Sequence, residues 1–295
     1  MEKYYIAFFL SVEGINDLKL DNLINYFGSG KIAYKNILAK DSLKKFFLTK
    51  NDISAILEKM HEFNPFQIKF YCKENNIELI YIKEDNYPYL LKKITNPPKI
   101  LYVKGMLNNN LESLSIVGSR KASQYGIKVA ETFAEDLARA GLQIVSGGAI
   151  GIDTAAHLGA IKGNGKTVVV LGSGVDEFYP KRNTKLFKQI IANGGAVISE
   201  FPLGTKAVPN NFPKRNRIIN GLSKGVLLVE GSKNSGALIT VECAIAENRE
   251  VYCVPGDIFQ PNSFATHSLI KDGAILSDRP EVILADFGYF KYKSK

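Results

Sequence analysis

From Ser113 onward the chain alternates between two kinds of apolar pattern. SLSIVGS, LQIVSGG, TVVVLGSG, GAVISE, GVLLVE and EVYCVPG are short, continuously apolar runs rich in β-branched residues. Nearly all end in Gly or an acidic residue. Helical patterns lie between them, as in GIKVAETFAEDLARAG, where Ile127, Ala130, Ala134 and Leu137 share one face. Unbroken apolar strands separated by amphipathic helices predict a parallel sheet covered on both sides. Right-handed crossovers then give an α/β, doubly wound Rossmann-like parallel sheet over residues 113–286.

The first 65 residues read differently. DNLINYFGSGKIAYK places Leu23, Ile24 and Phe27 at helical spacing, then Gly28-Ser29-Gly30, then a second helical stretch. Helix, Gly-rich turn, helix resembles a helix-hairpin-helix or sterile-alpha-motif-like unit, whose turn amides can grip a DNA backbone. A small packing domain with a Gly C-cap is the simpler alternative. Residues 66–112, with their YP and NPP punctuation, read as a connection into the Rossmann-like domain. Residues 287–295 read as a tail, and DRPEVILADFGYFKYKSK is expected to add no further folded domain.

Composition narrows the class. The chain is 45% hydrophobic and 23% charged, as a soluble globular protein is. It has no apolar run near the ~18 residues that span a bilayer. Cys72, Cys243 and Cys253 are odd in number and lack CxxC spacing, which suits buried thiols in a reducing, cytoplasmic compartment. Lys and Arg number 38 against 29 acids, a net +9 that favours a polyanionic partner.

Ligands of such sheets sit at the carboxyl ends of the strands. SLSIV delivers Gly118-Ser119-Arg120 there, either a phosphate-binding turn or a turn with a solvated Arg. SGGAIGID follows the second strand. Ser146, Gly147, Gly148 and Gly151 precede a helix N-terminus, and their amides suit an anion, although the same glycines also permit close packing. Asp153 fits the first turn of that helix. Without GxGxxG or an acid after the next strand, no dinucleotide cofactor is expected. Lys181 follows Tyr179-Pro180 at the same rim.

NNFPKRNRIING carries the densest signal. Pro213 suits a helix start, and Lys214, Arg215 and Arg217 in its first turns oppose the helix dipole unless an anion arrives. Residues 206–224 hold five cations and no acid. Phe212 is either a stacking surface for a base or a hydrophobic staple. Asn216 and Asn220 either read base edges or satisfy backbone groups. Ser235-Gly236 opens a further helix at the rim, with Glu242 one turn inside as an acid–base group or a partner for Arg215 or Arg217. His61, His157 and His267 lack metal spacing, and Ser173 lacks a nucleophile elbow. No catalytic constellation, metal or cofactor is expected.

Taken together, GSR at Ser119, SGGAIGID, YPK at Lys181, FPKRNRII from Phe212, SGALIT from Ser235 and PG…HSLIKDGA from Pro255 resemble the DNA-processing protein DprA (Smf) family over residues ~75 to 280. The resemblance implies a dimeric, non-enzymatic single-stranded-DNA-binding protein of natural transformation. It also implies protection of incoming strands, loading of the RecA recombinase, and a DNA pocket lined by Arg120, Lys181, Phe212 and the Arg215–Arg217 segment. Ala265-Thr266-His267 stands where many members carry Gly-x-Asn, and the winged helix found at the C-terminus of many members is expected to be absent. SGALITVE is also similar to the loop of Rossmann-like phosphoribohydrolases, which would give Glu242 an acid–base role and Arg120 a phosphate.

Overall fold

The computed structural model describes residues 1–37 and 48–289. Residues 38–47 of the expected helical unit and 290–295 of the expected tail lie outside the described residues. The chain opens with helices α1 (Glu2–Leu10), α2 (Asp17–Phe27), α3 (Gly30–Asn36), α4 (Lys50–Glu62) and α5 (Pro65–Glu74). Local chemistry sets their ends. Gly28 closes α2 at φ +81°, with its N–H on Ile24 O, and the Ser29 hydroxyl accepts the Ile32 N–H to open α3. Thr49 with Asp52, and Asn64 with Gln67, form capping boxes on α4 and α5.

The amides of the Gly-rich turn are engaged. Gly30 N–H donates to Glu2 Oε1 at 2.5 Å and Lys31 N–H to Glu2 Oε2 at 3.2 Å. A carboxylate of the chain itself thus holds the place that the helix-hairpin-helix reading kept for DNA phosphate. The packing alternative describes this turn. Phe8, Phe9, Leu20, Leu23, Ile56 and Ile68 form one core with Leu79, Tyr81, Ile100 and Tyr102 of the sheet.

The sheet has strands β1 (Ile77–Tyr81), β2 (Ile100–Gly105), β3 (Ser113–Val117), β4 (Gln143–Ser146), β5 (Thr167–Val170), β6 (Ala196–Ser199), β7 (Gly225–Leu228), β8 (Glu250–Cys253) and β9 (Ile275–Leu276). Their order is β1-β2-β6-β5-β4-β3-β7-β8-β9. The six expected runs form β3 to β8, all parallel, with β9 added in parallel at one edge. The segment 66–112 differs from its reading as a connection. It carries most of α5, a short helix α6 (Tyr89–Lys92), and β1 and β2, which pair antiparallel and extend the sheet from β6. Both of its strands are buried on two faces, so they lack the polar alternation that marks a half-exposed strand. Ile80, Leu101 and Val103 face the sheet's own core, and the residues between them face the N-terminal helices.

Helices α7 (Gln124–Arg139), α8 (Ile152–Lys162), α9 (Thr184–Ala192) and α13 (Pro280–Asp286) pack on one face of the sheet. Helices α10 (Asn211–Gly221), α11 (Gly236–Ala246) and α12 (Phe264–Lys271) join α6 on the other. The chain lays down β3 to β6 outward, then returns through α10 to place β7 on the far side of β3. Loops leaving β3 and β7 therefore part to opposite faces and open a crevice between them. Among the described residues no helix is long and apolar enough to cross a membrane.

Because Glu2 satisfies two helix-start amides, Glu2→Ala is expected to destabilise the N-terminal helices by about 1 kcal/mol. Hydrogen exchange at Gly30 and Lys31 reports it; unchanged protection there would contradict the assignment.

Candidate nucleic-acid interface

Three strand-end loops, those after β3, β4 and β7, interlock to form the wall of the crevice. Ser119 N–H donates to Glu230 O at 2.9 Å, and Ser119 O accepts the Ile152 N–H at 3.2 Å. Gly151 sits at φ +93°, and a Cβ there would lie 2.4 Å from Ser119 O, so a side chain is excluded twice over. The carboxylate of Glu230 lies buried beneath the wall. It accepts the backbone N–H of Ser123 at 2.9 Å and the Ser123 hydroxyl, while Ser123 itself caps α7. Glu230 thereby ties the end of β7 to the turn that presents Arg120. Its trace in the sequence is the acid that ends the buried run GVLLVE.

Helix α10 supplies the opposite wall. It starts at Asn211, two residues before the expected Pro213. The Phe212 ring lies against Gly172, with the Tyr179 ring centroid 5.8 Å away. The Arg120 guanidinium stands 5.3 Å from the Phe212 centroid. One turn on, Arg215 is buried and donates to Gly147 O at 2.7 Å and to Val170 O. A Cβ on Gly147 would stand 2.6 Å from this guanidinium, so Gly147 is needed to admit it. Burial lowers the Arg215 pKa to about 10, against the pull of Asp153, and leaves it charged at neutral pH. Burial also raises the Asp153 carboxyl, while Arg215 draws it down.

The cleft so formed holds about 630 Å³ and is lined by Gly118, Ser119, Arg120, Phe212, Arg215, Asn216, Ser235 and Gly236 among the expected residues. Gly147 lines a side pocket of about 170 Å³, which shares Arg120, Tyr179 and Phe212 with the cleft. Ser235 caps α11 by accepting the Ala237 N–H. Asn216 makes no side-chain hydrogen bond among the described residues and faces the cleft.

Other expected residues lie elsewhere. Ser146 is buried, its hydroxyl on Ile116 O at 2.7 Å, and Gly148 packs against Val169 and Phe187. Two amides of the SGGAIGID loop serve the fold, Ala149 donating to Asp153 and Ile152 to Ser119. Lys181 is exposed outside the cleft, 3.6 Å from Glu177. Asn220 is buried and donates to Thr240 O, which is the backbone role left open for it. Lys214 and Arg217 line a separate crevice on the far side of α10, with Asp17, Lys99 and Glu200. Residues 215 and 217 are two apart on a helix, so they point to opposite sides.

Sequence reasoning missed Lys121, Tyr179 and Asn262 as lining residues. Tyr179 was visible as the aromatic of YPK; Asn262 left no local signal. Glu242 is exposed and does not line the cleft, and Arg217 pairs with Glu200 instead. The Ser173 hydroxyl donates to Glu177 O. Ala265 N–H donates to Gly231 O, the Thr266 hydroxyl to Ser263 O, and the His267 ring meets Gly256, so these three residues form the first turn of α12 and brace the end of β7. His61 is exposed. No cluster of metal-ligating side chains occurs among the described residues.

The family model for DNA recombination-mediator protein A matches residues 78–288. The chain belongs to this family. It is 43% identical to Protein Smf of Escherichia coli over 220 residues, which is 74% of this chain and 59% of that relative's length. It is 42% identical to the DNA processing protein DprA of Streptococcus pneumoniae over 209 residues, 70% of this chain and 73% of that one. The crystal structure of DprA from Streptococcus pneumoniae matches with TM-score 0.76 and 31% identity, covering 100% of this chain and 99% of that one. DNA processing protein A from Helicobacter pylori, solved for its single-stranded DNA binding mode, shares the fold at TM-score 0.65 and 24% identity, over 73% of this chain and 97% of that one.

Within this recombination-mediator fold two charged or titratable residues have testable structural roles. Arg217 donates to both Glu200 oxygens, at 2.6 and 2.5 Å, and to Asn96 O at 2.9 Å. Burial pulls its pKa down, yet the Glu200 bonds outweigh that and hold it above its ordinary value. Arg217→Met is expected to lower stability by about 1–3 kcal/mol, read by urea unfolding. An unchanged midpoint would remove this strut from the account.

His157 is buried in α8, its Nδ1 2.7 Å from the Thr167 hydroxyl. Burial, reinforced by Arg215, lowers its pKa from 6.5 to about 3. A folded value below the unfolded one contributes stability that is present above 6.5 and lost as pH falls through about 3. His157→Gln is therefore expected to flatten the acid-side dependence of unfolding free energy in that window by up to one proton. An identical slope in both proteins would contradict it.

Proposed function

We propose that this chain binds single-stranded DNA along the cleft between the β3 loop and α10. On this reading it protects incoming strands and assists loading of RecA during natural transformation, as a cytoplasmic homodimer. The observation that carries the reading is the pairing of Arg120 with Phe212 beside Tyr179 over the buried Arg215. A guanidinium fork for phosphate and a flat ring for a base stand within one nucleotide's reach of each other. Stacking is tolerant of sequence because every base has a π-face. The net +9 of the chain supports a polyanionic ligand.

Several further features favour this account. The relatives are named as DNA-processing proteins, and the Helicobacter pylori neighbour's structure is described by its single-stranded DNA binding mode. The reading is non-enzymatic: Glu242 stands off the cleft, and the carboxylates beside it, Glu230 and Asp153, are engaged by backbone amides. The phosphoribohydrolase reading assigns the acid–base role to Glu242, which does not line the cleft. Self-association is favoured by the edge strand β9, with exposed Leu276, and by Ile258 and Phe259 at 78% and 86% exposure.

Fluorescence anisotropy with a labelled oligonucleotide, single- against double-stranded, across a salt titration tests the proposal. Tight binding to the single strand is expected, with a log–log salt slope of about −0.7 per phosphate neutralised. Arg120→Ala is expected to reduce that slope by about 0.7, and Phe212→Ala to weaken binding about tenfold. Arg217→Met is expected to leave the slope unchanged. Equal affinity for both forms of DNA would overturn the reading.

A further inference from the structure

Helix α5 buries Ile68 and Cys72 against the N-terminal core, at 2% and 1% exposure. Its outer face carries Phe66 and Phe70, 63% and 67% exposed. Two benzyl groups one helical turn apart form a continuous apolar step on the surface. Lys69 and Lys73 are exposed beside them on the same helix, with Glu74 the opposing acid at its end. A surface meant for an apolar protein partner would gain from neutral neighbours. Aromatic faces interleaved with cations match instead a polyanion that also stacks.

The helix is joined to the cleft. The Tyr71 hydroxyl donates to Asp176 Oδ2 at 3.2 Å, and Asp176 in turn accepts the Gly204 N–H at 3.0 Å. Asp176 lies three residues before Tyr179 on the loop that borders Phe212. Beside it, Glu177 gathers Lys181 and Lys206, whose side chains are more than 70% exposed. The loop that borders Phe212 therefore presents two exposed lysines and is hydrogen-bonded to α5 through Tyr71.

We propose that Phe66 and Phe70, with Lys69 and Lys73, form a second stacking station for single-stranded nucleic acid that continues the cleft onto the N-terminal helices. The inference rests on the proposed function, since it extends the same strand. It makes the bound length greater than the cleft alone holds. It also gives the N-terminal helices a nucleic-acid role through α5 rather than through the Gly28–Gly30 turn, where Glu2 accepts from the Gly30 and Lys31 amides.

The chain has no Trp, so single Trp substitutions report stacking without background. Phe70→Trp and Phe212→Trp proteins would be titrated with oligothymidylates of about six and about twenty nucleotides. Phe212→Trp is expected to be quenched by both lengths, and Phe70→Trp by the longer one only. The Phe66→Ala, Phe70→Ala double variant is expected to bind the longer oligonucleotide about tenfold more weakly and the shorter one unchanged. Quenching at Phe212→Trp with none at Phe70→Trp, and full affinity in the double variant, would overturn the second station alone. No binding of either length by the wild type would overturn both readings. Dissociation of a dimer in the double variant, with DNA affinity intact, would assign the α5 face to a second copy and reject the proposal.

Discussion

A guanidinium buried beneath the cleft joins the ends of two strands to the helix that crosses them. Arg215 reaches from α10 to the carbonyls of Gly147, just past β4, and Val170, at the end of β5. Carbonyls at the ends of parallel strands have no further strand residue to accept from, and the Nη1 of Arg215 donates to both of these. The arrangement sets the height of α10 over the sheet and therefore the position of Phe212, one turn earlier. It also explains why the glycine at 147 admits no side chain. Although burial weakens its hold on the proton, the group stays cationic, with the Asp153 carboxyl also lining the cleft.

Helix α10 has two working sides. Phe212, Arg215 and Asn216 face the cleft, while Lys214 and Arg217 face the crevice toward the N-terminal helices. Arg217 holds Glu200, just beyond β6, and Asn96 O in the segment between β1 and β2. One helix thus connects the cleft to the edge of the sheet on which the N-terminal helices rest. Cations that look like one cluster along the chain divide between two crevices on opposite sides of the helix.

The parallel strands were legible because they are short, β-branched and unbroken, and the crevice followed from the rule that ligands sit at strand carboxyl ends. The FPKRNRII block lies on α10, the helix that forms one wall of the cleft. What it did not reveal was azimuth. Arg215 and Arg217 differ by about 200° around a helix of 3.6 residues per turn, and only the packing of Ile218 and Ile219 in the sheet core decides which of them faces the cleft. Strands β1 and β2 were hidden because two-sided burial erases alternation and prolines punctuate their flanks. Glu230 was visible only as a terminal acid. Its work, capping the start of α7 through Ser123, depends on β7 lying beside β3, a pairing of residues more than a hundred apart in sequence.

The contact between Arg120 and Phe212 has a thermodynamic side. In the free protein each group is the other's partner, so a ligand must exchange this contact for its own rather than simply add to it. Affinity is reduced by whatever the pair is worth. In return, a molecule that offers only a flat apolar face displaces the guanidinium without rehousing it, and one that offers only an anion draws the guanidinium away and leaves the ring bare. A ligand bearing both groups at nucleotide spacing satisfies both at once. On the proposed single-stranded-DNA reading, the resting contact would act as a coincidence filter, trading tightness for discrimination against free phosphate and against stray hydrophobic surfaces.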